Sequence, residues 1–166
     1  MFRKLALTAL AIAAIGAAGA AAFAPAASAA EPKPPLRDVF LKGAGTLDAQ
    51  GTGVAAVRGL VDYTANGAPN AMLLVRDVDG DASVQVDGYD GTGTFLGFTV
   101  YFNFTGTAHI TATDVGIVLI GEDVSLHAVG RGWAYLRGNG TYTVNGGEPH
   151  PWLGEGGFAS VSSDAR

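Results

Sequence analysis

The chain alternates apolar and polar side chains with a period of two, and this pattern predicts strands with one buried face. Between residues 46 and 66 the odd positions Leu47, Ala49, Ala55, Val57, Val61, Tyr63 and Ala65 are apolar. The even positions Thr46, Asp48, Gln50, Thr52, Arg58, Asp62, Thr64 and Asn66 are polar. Between residues 124 and 145 the apolar set is Val124, Leu126, Ala128, Ala134, Leu136, Tyr142 and Val144, set against Ser125, His127, Arg131, Arg137, Asn139, Thr141, Thr143 and Asn145. The middle of the chain is more apolar. Phe98, Val100, Phe102 and Phe104 are expected to share a core face that continues through Ala108, Ile110 and Ala112, and Ile117 to Ile120 is apolar on both sides.

Glycines punctuate this alternation at intervals of eight: Gly43, Gly51, Gly59 and Gly67; Gly80 and Gly88; Gly130, Gly138 and Gly146. The rhythm is an internal repeat. A two-residue hairpin would swap the inward phase, yet the phase survives each glycine. The glycines are therefore expected to serve as three-residue hairpins, sharp bends or solenoid corners. The fold class that follows is all-β: a small Gly-rich antiparallel β-sandwich or barrel of about eight to ten short strands. The alternative is a two-layer β-solenoid, which the octads favour and the uneven spacing from Gly88 to Gly130 opposes.

The N-terminus departs from this pattern. Arg3 and Lys4, the alanine-rich run from Leu5 to Ala22 and the small residues Ala27-Ser28-Ala29 have the layout of a secretory signal peptide, assigned to residues 1–29. A retained membrane anchor is the alternative, opposed by Pro25 and the cleavage site. Residues 30–41, with Pro32, Pro34 and Pro35, read as a Pro-rich linker. The β domain is assigned to 42–147, and a Pro/Gly/Ser-rich tail to 148–166, with Trp152 docking back. The expected location is secreted or periplasmic, with no membrane span once the signal is cleaved. The chain has no cysteine, so neither a lipid-anchored cysteine nor a disulfide is expected.

Setting Arg3 and Lys4 aside leaves eight Lys and Arg against fifteen Asp and Glu, a balance of about −7. Nucleic acid and anionic lipid heads are poor partners for such a composition. Edge strands poor in lysine favour self-association.

Candidate chemistry is sparse. Asp77, Asp79 and Asp81 surround Gly80, and alternate carboxylates about a glycine can wrap Ca²⁺, although an EF-hand frame would place Val75 and Val86 at ligand positions. The competing reading is hairpin tips at Asp79-Gly80 and Asp87-Gly88. His109, His127 and His150 lack the spacing of a zinc site. Ser125 and His127 lie two apart on one strand face and diverge, and no G-x-S-x-G elbow exists. The G-x-G pairs precede no helix, so they read as bends and not as phosphate loops. Trp133 and Tyr135, two apart on a nominally polar face, are candidate glycan-binding residues.

The expectation is a secreted or envelope-associated, non-catalytic β domain with a structural or interaction role and no cofactor. Its alternative is an extracellular ligand-binding module for glycan or calcium. A hydrolase ranks third.

Overall fold

The computed structural model describes residues 39–152 and the backbone of 158–161. The signal peptide, most of the linker and most of the tail assigned above lie outside the described residues. Within them the protein is all-β. The strands are β1 (Val39–Asn66), β2 (Met72–Asp77), β3 (Ser83–Val86), β4 (Gly91–Phe95), β5 (Phe98–Phe102), β6 (Thr107–Val144), β7 (His150–Pro151) and β8 (Phe158–Val161). The sheet runs β4-β5-β2-β6-β1-β8, with β3 and β7 added to β6. Its outer strands β4 and β8 are not paired with each other, so the sheet stays open.

The octads are not separate short strands but legs of two long ones, β1 of 28 residues and β6 of 38. Leu136 pairs with Val39 on one side and Ala55 on the other, and Leu126 pairs with Ala49 and Ala65 in the same way. Val39 and Ala55 are thus two strand spacings apart, about 10 Å, although the stretch of chain between them is several times longer than that when extended. The chain makes a full turn in that interval. β1 and β6, antiparallel throughout, wind together as a coiled ribbon whose successive turns hydrogen-bond to each other.

Each turn has two legs, and glycines occupy the bends between them. At one bend Gly132 lies between Gly43 and Gly59; at the other Gly53 lies between Gly121 and Gly138. A Cβ on Gly132 would sit 1.9 Å from the Arg58 carbonyl oxygen, and Gly59 holds φ at +137°. No larger residue fits where the backbones cross this closely.

The legs form two layers around one core. The first layer takes residues 46–50, 61–66, 107–112, 125–129 and 141–144, flanked by β3 and β7. The second takes 39–42, 54–58, 116–120 and 133–137, together with β2, β5, β4 and β8. Leu47, Ala49, Ala55, Val57, Val61, Tyr63, Ala65, Val124, Leu126, Ala128, Ala134 and Leu136 are all buried between them. The phase read from the alternation is the inward phase. Trp152 does dock back: it is buried, its backbone N–H donates to Gly140 O at 2.9 Å, and Nε1 donates to Thr141 O at 3.0 Å.

In β5 the structure differs from expectation. Tyr101 packs toward the core, while Phe98, Val100 and Phe102 lie on the outer side of the second layer in line with Leu74 and Met72. Of that set Val100 is buried on the outer side, and only Phe104 joins the core between the layers, because Asn103 takes a left-handed φ of 47° and resets the alternation. Asn103 is fixed there by the Asn70 N–H donating to its Oδ1 and by its own Nδ2 donating to Asp90, both at 2.8 Å.

Candidate functional site

The core uses one side of every leg, so any binding chemistry belongs to the two outer faces. The register assembles them row by row. On the first layer, one row reads Gln85, His109, Thr64, His127, Asp48 and Thr143, and the next reads Ser83, Thr111, Asp62, Val129 and Thr46. This face is polar and acidic. His127 Nδ1 lies 2.5 Å from Asp48 Oδ1, and His109 Nε2 lies 3.5 Å from Asp62 Oδ1, with Thr64 between the two histidines. Ser125 is held by Asn66, whose Nδ2 donates to Ser125 Oγ at 3.1 Å, so its hydroxyl and the His127 ring have separate partners. His150 instead lies over Tyr142, with ring centroids 5.4 Å apart.

The second layer's outer face has the opposite chemistry. One row reads Val100, Leu74, Val118, Ala56, Tyr135 and Phe40, and the adjacent row reads Arg76, Gly116, Arg58, Trp133 and Lys42. Trp133 stacks on Phe40, with ring centroids 5.7 Å apart and planes 19° from parallel. Gly116 leaves a gap in its row, and a cleft of about 200 Å³ opens there between Arg76, Arg58, Trp133, Phe98 and Val78. A second, smaller cleft shares Arg58 and Trp133 and runs to Leu60, Arg131 and Lys42 over the glycine bend. Arg58 meets Asp114 at 3.4 Å with half of its side chain exposed.

The five basic side chains among the described residues are Lys42, Arg58, Arg76, Arg131 and Arg137. All lie on this face or at its bend. The β4–β5 hairpin extends the face. Leu96 and Gly97 form a two-residue turn with φ of 49° and 80°, which pairs Phe95 with Phe98 and holds Phe95 60% and Leu96 76% exposed. A Cβ on Gly97 would lie 3.7 Å from Arg76 Nε, so the apolar tip sits directly beside a guanidinium.

Of the residues singled out from the sequence, Trp133 and Tyr135 fall on this second face, Trp133 in the wall of the cleft. Asp77, Asp79 and Asp81 do not; they occupy the crossing from β2 to β3. The N–H groups of Gly80 and Ala82 donate to Asp77 at 2.8 and 3.0 Å. The Thr113 hydroxyl donates to Asp81 Oδ2 at 2.6 Å, and this contact holds the Asp81 carboxyl below the usual aspartate range. Asp77 accepts from the turn, Asp81 from Thr113, and Asp79 lies 3.4 Å from the same Thr113 hydroxyl. Among the described residues no three His, Asp or Glu side chains are grouped to hold a metal ion.

Arg58, Arg76, Phe40 and Phe98 were missed as site residues. Arg58 stands out in the alternation as an outward base, but the partners that make it part of a site come from three other strand passes. No helix among the described residues is long and apolar enough to cross a membrane. No family model, no curated protein and no solved structure matches the chain.

Proposed function

We propose that the protein is an exported, non-catalytic interaction domain that binds through the outer face of its second layer. The observation that carries this reading is the collection of apolar, aromatic and basic side chains on one side of a chain that is acidic as a whole. A contiguous exposed apolar patch is a common mark of a binding surface. The side chains that could do acid–base chemistry, His109, His127, Asp48 and Asp62, lie about half exposed on the other outer face.

An apolar anion tests the reading. Anilinonaphthalene sulfonate should fluoresce on binding the folded chain, and Trp133→Ala or Arg58→Ala should weaken that binding without shifting the melting temperature by more than a few degrees. No binding by the native chain, or undiminished binding by both variants, would remove this face as the site.

A glycan held against Trp133 is a second reading, favoured by the aromatic wall of the cleft. A glycan array probed with wild type and Trp133→Ala decides it, and equal blanks would end it.

A further inference from the structure

Resting on the interaction-face reading above, we infer that this face docks on an anionic phospholipid bilayer, the β4–β5 tip entering the hydrocarbon boundary while Arg58 and Arg76 meet headgroup phosphates. Three observations converge. First, Phe95 and Leu96 stand out at a hairpin tip, 60% and 76% exposed. Side chains on a convex tip lose water most completely by entering an apolar medium, as interfacial protein segments do in lipid.

Second, the bases sit where the headgroups would be. Gly97 packs beside Arg76, and Arg76, Gly116 and Arg58 are neighbours across the sheet. The glycine between the two guanidiniums leaves the cleft open for an anionic group. Each Lys or Arg held near an anionic surface contributes roughly fivefold in affinity. Arg58 shares its guanidinium with Asp114 at 3.4 Å and keeps half of its side chain exposed, while Asp77 accepts from the amides of Gly80 and Ala82.

Third, the acidic total does not forbid the approach. Asp48 and Asp62 lie on the far layer. Stacked sheets are about 10 Å apart, while the screening length at physiological salt is about 8 Å. For these two carboxylates a bilayer under the second layer lies beyond the screening length.

The test is sedimentation of the exported chain, without residues 1–29, with phosphatidylglycerol-containing vesicles and with pure phosphatidylcholine vesicles. Binding is expected only to the anionic vesicles, and should fall as salt rises. The Arg58→Ala/Arg76→Ala double variant should bind roughly 25-fold more weakly, and Phe95→Ser/Leu96→Ser roughly tenfold or more. Thr64→Ala/Thr111→Ala on the opposite face should bind as wild type, and matching melting curves establish that all variants are folded.

Absence of vesicle binding, with sulfonate-dye binding intact, would overturn the lipid assignment and leave the interaction face standing; loss of both would overturn both. Release by free glycerol phosphate would give the face to a soluble anion, and a dimer abolished by the tip variant would give it to a second copy. Either result overturns the proposal.

Discussion

The two outer faces of this protein are made by the same two strands, and they share almost no chemistry. Along β1, the leg with Thr46, Asp48 and Gln50 outward is followed, after Gly51 and Gly53, by the leg with Val54, Ala56 and Arg58 outward. The next leg returns to Asp62, Thr64 and Asn66. Bends recur every eight residues, but outward chemistry recurs every sixteen, because a full turn of the coil has two legs. Spacing alone says how the ribbon bends. Which side of the molecule a leg belongs to depends on counting bends, and that alternation gives one face to acids and histidines and the other to aromatics and arginines.

The largest effect is expected from breaking the bends that keep the faces apart. In Gly132→Ala the new Cβ would lie 1.9 Å from the Arg58 carbonyl oxygen, so two turns of the coil must separate. The loss should be roughly 3 kcal/mol or more, measured by urea unfolding. Gly147→Ala is the control at a site with more room, where a Cβ would come no nearer than 3.1 Å to backbone. If Gly132→Ala costs no more than that control, the close crossing does not define the coil.

Next in size is a change in the core that both layers share. Tyr63 points inward from the first layer and is fully buried, and its hydroxyl has no hydrogen-bond partner among the described residues. Burial also pushes its ionisation far above the usual phenol range. Tyr63→Phe removes an unsatisfied polar atom and should stabilise by about 1 to 2 kcal/mol. A destabilised variant would mean that the hydroxyl is satisfied in solution.

The faces themselves can be compared by paired truncations. Val118 is half-buried among Leu74, Ala56 and their neighbours on the second face, and Val118→Ala should cost about 1 kcal/mol. Thr64→Ala, between His109 and His127 on the first face, should stay within about 0.5 kcal/mol. Equal costs would mean that apolar packing does not distinguish the faces.

The inward half of this architecture was legible in the sequence. Every odd apolar position from Leu47 to Ala65 lies in the core, because alternation is a local property and survives a bend that keeps its phase. The outward half was not. Phe98 and Phe102 read as core because an apolar second face looks like a core face until Asn103 resets the phase. A balance of about −7 is a sum and carries no positions; the five bases among the described residues share one side. The acidic run at Asp77 to Asp81 reads as an isolated cluster in the sequence, while in the fold its oxygens accept from Gly80, Ala82 and Thr113, the last more than thirty residues away. Such partners are set by register, and register was not readable from the chain.

The smallest expected effect lies where the chain passes from one face to the other. The β2–β3 crossing leaves the second layer at Asp77 and enters the first at Ser83, and the Thr113 hydroxyl and N–H both donate to Asp81 there. Those bonds favour the charged carboxylate and lower its pKa below the ordinary 3.8. A group whose pKa is lowered by folding contributes stability above its unfolded value and loses it as pH falls through the folded one. The melting temperature should therefore decline more steeply below the ordinary aspartate range in wild type than in Thr113→Val, which lacks the hydroxyl donor. At neutral pH wild type should be the more stable of the two, and the gap should narrow as Asp81 takes up its proton. A direct carboxyl titration by NMR should show Asp81 moving up toward its ordinary value in the variant. Parallel melting profiles and an unmoved titration would mean that this contact does not fasten the crossing.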